Sequence, residues 1–327
     1  MKTALFCFVM LFALSAFGQV GKQLTVISTS GLNLRSKPNL QSKVIKTLPW
    51  GAKVRVAEVV NKEKVELGIQ HITDLDSDGE ADTVLLVGRW VKANYGKLSG
   101  YLFDAYLLDL SDQIHSPLPD YALLFEGYDC LFNLNFDLAW NWYGVYDSDG
   151  GAYLKVVSIS CLKETEEEYG FGDFLGIFTK ESTEAKFIFG TKKPLDKNKF
   201  RQSEGAYPMN FYSVKELAET QPIVRKVGLE LAVVKRKNID NQTIERYIMY
   251  ALGSDGQRQS LELADDNQGE WTLSELVWAG DLDGDGKNDY IVYYGEVSAV
   301  TILYLSSIAP KGQIVKEAAR WYSGYCC

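Results

Sequence analysis

Two short stretches of this chain hold the residues best suited to chemistry. One reads Asp74-Leu75-Asp76-Ser77-Asp78-Gly79-Glu80-Ala81-Asp82, the other Asp281-Leu282-Asp283-Gly284-Asp285-Gly286-Lys287-Asn288-Asp289. Both place aspartate at positions 1, 3, 5 and 9 and glycine at position 6. Calcium takes about six to eight oxygen ligands at roughly 2.3–2.6 Å, and a tight loop presenting alternate side chains can surround it. Glycine at position 6 permits the sharp turn that brings the backbone carbonyl of position 7, Glu80 or Lys287, toward the same centre. Zinc would want histidine or cysteine, which neither loop contains. Magnesium prefers a stricter octahedron and keeps more water. The expected cofactor is therefore structural Ca2+, held by Asp281, Asp283, Asp285, Asp289 and the Lys287 carbonyl, and by Asp74, Asp76, Asp78, Asp82 and the Glu80 carbonyl. Such use of every aspartate leaves no obvious general base or activated water, so the metal is expected to clamp turns rather than to catalyse.

The residues that follow each loop say which elements must carry it. An EF-hand would place glutamate at position 12 and then a helix, but position 12 is Leu85 or Val292, and the chain runs on as "TVLLV" or "YIVYY". Such β-branched and aromatic runs are strand formers, so both loops are expected at β-hairpins. Asp-x-Asp-x-Asp-Gly-x-x-Asp running into a strand resembles the calcium loops of FG-GAP and VCBS-type repeats, which implies a structural metal. Two copies so far apart do not make a propeller. Acidic turns without metal use the same residue types. An empty loop would crowd four carboxylates, which raise one another's pKa. A third stretch, "YDSDGGAY" at residues 146–153, has only Asp147 and Asp149 before its glycines and reads as a plain hairpin turn.

The first loop interrupts a recognisable pattern. From Leu24 short alternating runs are broken by glycine and proline, as in small β-barrels. Leu32-Asn33-Leu34-Arg35 is followed by Pro38, then by Val44-Ile45 with Leu48 and Gly51, and later by Trp90-Val91-Lys92, Gly100-Tyr101 and Tyr106-Leu107. This order resembles the bacterial Src-homology-3-like (SH3b) domain over about 85 residues. Val44, Ile45, Leu48, Val54 and Val56 are expected to face inward, and Arg35 to make structural hydrogen bonds. The resemblance implies binding, often of cell-wall peptides, with Trp50, Tyr95 and Tyr101 as candidate contacts and Trp90 as core. Where that pattern has a short turn, residues 61–88 insert a hairpin holding Asp74–Asp82.

At the N-terminus "MKTALFCFVMLFALSAFG" combines a lysine, an apolar run and small residues at Ala16 and Gly18. That is the layout of a secretory signal peptide over residues 1–18, with cleavage expected after Gly18. No later apolar run approaches the roughly 18 residues that cross a bilayer, so the expected location is periplasmic or secreted. The chain has 34 basic and 43 acidic residues, a net charge of −9, and no basic stripe, which argues against nucleic acid as a partner. The acidic run at residues 164–170 reads as a solvated loop. Cys130, Cys161, Cys326 and Cys327 survive export. An oxidising compartment favours pairing Cys130 or Cys161 with one of the terminal pair, or with each other, the other reading being buried free thiols. A catalytic cysteine would need a base, and only His71 and His115 exist in the chain.

After a polar linker at 109–120, residues 121–327 show many strand-like runs and little helical periodicity beyond "SVKELAET". The expected fold class is thus all-β, a small SH3-like barrel followed by a larger antiparallel β-rich domain. Its aromatic cluster includes Trp140 and Trp142, which could stack on sugars or pack a core. No Gly-x-Ser-x-Gly, His-Glu-x-x-His or phosphate-binding glycine loop appears. The sequence therefore favours an exported, non-enzymatic, calcium-stabilised binding or scaffolding protein of the cell envelope, with cell-wall peptide or glycan, or another envelope protein, as partner. The alternative is a peptidoglycan or glycan hydrolase with an unrecognised active site in 121–327.

Overall fold

The computed structural model describes residues 19–61, 63–71, 83–109, 120–125, 127–129, 136–148, 151–166, 172–179, 181, 185–203, 224–237, 243–261, 274–294 and 298–324. The expected signal peptide, the loop Asp74–Asp82, most of the expected linker, "SVKELAET", Cys130, Cys326 and Cys327 lie outside them. In chain order the strands are β1 (Gln23–Val26), β2 (Leu32–Arg35), β3 (Val44–Leu48), β4 (Lys53–Val59), β5 (Val65–His71), β6 (Thr83–Gly88), β7 (Trp90–Tyr95), β8 (Leu98–Phe103) and β9 (Leu107–Leu108). Then come β10 (Tyr121–Leu124), β11 (Gly127–Asp129), β12 (Asn141–Tyr146), β13 (Tyr153–Val156), β14 (Ile159–Glu166), β15 (Gly172–Thr179), β16 (Phe187–Thr191) and β17 (Arg201–Gln202). The last are β18 (Leu229–Lys237), β19 (Thr243–Leu252), β20 (Arg258–Ser260), β21 (Ser274–Asp281), β22 (Asp289–Tyr294), β23 (Ser298–Leu305) and β24 (Lys316–Gly324). The protein is nearly all-β and its strand pairs are antiparallel, as expected.

Two compact units share these strands. One holds β1–β9 together with β11, β14 and β15; the other holds β10, β12, β13 and β16–β24. Part of the stretch assigned by sequence to a second domain thus belongs with the N-terminal unit. The acidic residues Glu164–Glu166, expected in a loop, form the end of β14 and pair with β15.

In the first unit seven strands follow the order β3-β2-β8-β7-β4-β1-β9. One core draws on both edges of that sheet, from Leu48 on β3 to Leu107 on β9, with Leu34, Val54, Val56, Val91 and Leu102 between them. The sheet is therefore rolled around its apolar side. Alternation sets this up: on β2, Leu32 and Leu34 are buried while Asn33 and Arg35 stand half-exposed. Val44 and Ile45 depart from expectation, each being 40% exposed. Their strand is an edge, paired only with β2, and of its five residues only Leu48 reaches the core.

The insertion in the barrel forms the antiparallel pair β5–β6. Leu86 from this pair packs with Trp90, Phe103 and Ala105, and Leu67 lies against the same cluster. Its return into β7 is pinned by Asp104, whose carboxylate accepts the Arg89 amide, while the Asp104 amide donates to the Arg89 carbonyl at 2.9 Å. Gly88 sits so close to this turn that a Cβ would meet Asp104 Oδ1 at 2.7 Å and the Ala105 amide at 2.9 Å.

The second unit contains a four-stranded sheet (β10-β16-β12-β13), a five-stranded sheet (β17-β21-β22-β23-β24) and a three-stranded sheet (β18-β19-β20). One of its core clusters joins Val224 and Val227 to residues of β18, β19 and β21–β23. Tyr146 pairs with Tyr153 across β12–β13, and Ser148 and Gly151 exchange backbone hydrogen bonds at 3.1 and 3.0 Å. "YDSDGGAY" is accordingly a hairpin connection, as its composition suggested.

Candidate functional site

Residues 281–289 connect β21 to β22, with Gly280 opposite Asp289 at the last strand pair. The connection turns through two residues in the left-handed region, Gly284 at φ 81° and Gly286 at φ 87°, which L-residues adopt only under strain. A Cβ at Gly284 would also meet the Lys199 side chain at 2.6 Å.

Asp281 organises the turn from within. Its Oδ1 accepts the amides of Gly284 and Asp285 at 2.7 and 3.0 Å, and its Oδ2 accepts the Gly286 amide at 2.9 Å. Asp285 Oδ1 accepts the Lys287 amide at 2.9 Å. These bonds leave Asp281, Asp283 and Asp285 converging, with one carboxylate oxygen of each within 4.8 Å of the others.

A serine pair just beyond β23 closes the cluster from the far side. The Ser307 hydroxyl donates to Asp283 Oδ2. Ser306 Oγ lies 3.0 and 2.9 Å from the two oxygens of Asp285 and 3.1 Å from Asp289 Oδ1. One hydroxyl proton cannot satisfy three carboxylate oxygens.

Asp289 has a different part from the one expected of it. It is fully buried, and its oxygens accept the amides of Leu282 and Ser306, both at 2.8 Å. The residue therefore ties the base of the loop to the β23–β24 connection and stands apart from the converging trio. Neighbouring groups extend the tie: Asn288 Nδ2 and the Tyr290 hydroxyl each donate to the Val227 carbonyl at 2.9 Å, and the Ser203 hydroxyl donates to Asn288 Oδ1 at 2.8 Å.

Electrostatics show what the cluster lacks. Among the described residues no lysine, arginine or histidine forms an ion pair with Asp281, Asp283, Asp285 or Asp289. Asp283 Oδ1 is buried without a hydrogen-bond partner. Burial raises the Asp283 carboxyl above the usual range, and the neighbouring charges of Asp285 and Asp281 add to the rise. Burial likewise pushes Asp289 up to about 7, against the opposing hydrogen bonds from Ser306 and Leu282. An orphaned buried oxygen among uncompensated carboxylates is the donor set that a hard cation completes. Asp281, Asp283 and Asp285 thus fit calcium; the serine closure could not be read from the nine-residue motif, because it arrives from Ser306 and Ser307.

The aromatic candidates separate. Trp142 is 4% exposed, donates its indole N–H to the Asp137 carbonyl at 3.2 Å and meets Phe136 edge-on. It is a packing residue, which corrects its place among the ligand contacts. Trp140 is half-buried, stacked on Trp142 at 6.2 Å and covered by the Lys192 ammonium at 5.6 Å. On the barrel, Trp50, Tyr95 and Tyr101 are half-buried, with the Lys46 ammonium 5.2 Å from the Tyr95 ring centre. Trp90 is buried, as expected. Arg35 Nη1 donates to the Ser42 carbonyl at 2.9 Å, the structural bond anticipated for it. Cys161 is a buried free thiol rather than half of a bridge, and burial raises its pKa far above the ordinary range.

With the rolled sheet and its core established, the comparison with known families is specific. Residues 30–107 match the family model of the bacterial SH3 domain. The match spans β2 to the first residue of β9 and runs across the inserted hairpin. No curated protein and no solved structure matches the chain.

Proposed function

We propose that this is an exported, non-enzymatic binding protein of the bacterial cell envelope, whose SH3 domain contacts cell-wall peptide and whose hairpin loops are clamped by calcium. The observation that carries the binding role is the SH3 domain at residues 30–107, a fold whose bacterial members often bind cell-wall components. Export rests on the leader at residues 1–18, with the mature chain starting at Gln19. The calcium role is supported by Asp281, Asp283 and Asp285, which converge without a basic partner around a buried, unpartnered oxygen. The loop Asp74–Asp82 repeats the same frame in sequence and is assigned the same ion.

Cosedimentation of the mature chain with purified peptidoglycan sacculi tests the binding role. The protein should pellet with the wall and release no soluble fragments. A chain that stays in the supernatant refutes wall binding, and released muropeptides would instead make it a hydrolase.

A further inference from the structure

A groove of about 230 Å³ opens on the barrel, lined by side chains from distant parts of the sequence. Arg35 comes from β2 and Leu40 from the loop after it; Leu67 and Leu86 come from the inserted hairpin, and Trp90 and Tyr106 from the barrel proper. The insertion therefore builds part of the apolar wall of a groove that the bare SH3 pattern would leave open.

Among the described residues Arg35 is the one charged residue in that lining. Only its Nη1 is engaged, on the Ser42 carbonyl, and among the described residues no carboxylate pairs with it. A guanidinium has five N–H donors and matches a carboxylate in two-point fashion. The Tyr106 hydroxyl has no hydrogen-bond partner among the described residues, and burial raises its pKa, so it remains a neutral donor. The groove thus joins an uncompensated cation and a free hydroxyl to a wall of leucines.

Size and shape narrow the occupant. The volume falls below the roughly 300–1,000 Å³ of sites that enclose a drug-sized molecule, which suits the end of a chain rather than a whole ligand. Trp90 is 4% exposed and offers no open face on which a sugar ring could stack. We infer that the groove captures the C-terminal carboxylate of a short peptide: Arg35 and Tyr106 receive the carboxylate, and Leu40, Leu67 and Leu86 enclose the small apolar side chain next to it. This rests on the reading of the SH3 domain as a peptide-binding module and names the end of the peptide it takes.

The test is an NMR titration of the mature chain with N-acetyl-alanyl-alanine and, separately, with its C-terminal amide. The acid should shift the amide signals of Arg35, Leu67 and Leu86, and the amide should bind at least tenfold more weakly. Leu40→Glu sets a negative charge on a side chain that is 51% exposed and so leaves folding intact; it should weaken the acid at least tenfold and more than Leu40→Gln, which removes the apolar contact without adding a charge. Equal binding of acid and amide, no shift with either, or an unaffected Leu40→Glu variant overturns the inference. Cosedimentation with sacculi, run in parallel, keeps the two claims apart. Wall binding without discrimination of acid from amide refutes the groove assignment alone. Acid preference abolished by Leu40→Glu, in a chain that does not pellet, refutes the envelope reading alone.

Discussion

Between β21 and β22 three carboxylates converge without a basic partner, whereas the groove on the barrel is lined by a guanidinium without an acidic one, in both cases among the described residues. Each region leaves a charge for an outside partner to neutralise, but they are assembled in different ways. The acidic set lies within nine consecutive residues, so local turn geometry alone brings it together. The groove takes Arg35, Leu40, Leu67, Leu86, Trp90 and Tyr106 from strands and loops that only the rolled sheet makes neighbours. A contiguous cluster answers to a small ion, whereas a dispersed one has the room and the mixed polarity for an organic group.

Breaking the anchor of the acidic loop should have the largest effect. Asp289→Ala strands the buried amides of Leu282 and Ser306, and a buried donor left unsatisfied costs about 1–3 kcal/mol. A loss on the order of 3 kcal/mol is expected in denaturant unfolding, with calcium or with chelator alike. If the loss appears only with calcium, Asp289 acts as a metal ligand rather than as a backbone anchor. On the barrel, Gly88→Ala drives a methyl against Asp104 and the Ala105 amide and should cost about 2 kcal/mol as overpacking. An unchanged unfolding midpoint would mean that the turn yields.

The acidic loop also predicts a pH dependence. In metal-free protein Asp289 keeps its proton up to about pH 7, while in the unfolded chain it releases it near the ordinary value of 3.8. Between those limits the native state binds more protons, so this group's contribution to stability is full below pH 3.8 and is lost as pH rises through 7. Melting temperatures recorded in chelator from pH 4.5 to 7.5 should carry that downward component, and Asp289→Asn should remove it. A slope identical in the variant contradicts the assignment. Smaller still is the effect of Asp283→Asn, which relieves like-charge crowding at nearly constant shape. It should leave metal-free stability equal or raise it by about 1 kcal/mol, while removing the share of the calcium response that belongs to this loop.

How much of this was legible in the sequence follows the same division between local and distant. The loop at Asp281–Asp289 was readable because its spacing, its glycine and the strand after it are contiguous. The separate role of Asp289 was not, since it depends on the Ser306 amide arriving from β23. Likewise the barrel could be read from Leu32-Asn33-Leu34-Arg35 and the later Trp90 and Gly100 segments. Alternation alone could not reveal that β3 is an edge, which leaves Val44 and Ile45 exposed. Trp140 and Trp142 look alike in sequence, and only packing against Phe136 decides which of them is core. The contribution of Leu67 and Leu86 to the groove was invisible, because the insertion was legible only as the bearer of a second aspartate loop.

Calcium binding by the converging aspartates is most directly tested by the melting temperature of residues 19–327 in millimolar calcium and in chelator, with Asp283→Asn alongside. Extracellular calcium sites bind at about 10⁻⁴–10⁻³ M, which at millimolar calcium amounts to about 1 kcal/mol per site. For units of this size that is a rise of roughly 2–4 °C. The wild-type chain should show the rise, and Asp283→Asn should lose the share that belongs to Asp281, Asp283 and Asp285. A wild-type melting temperature that is the same in calcium and in chelator would contradict it.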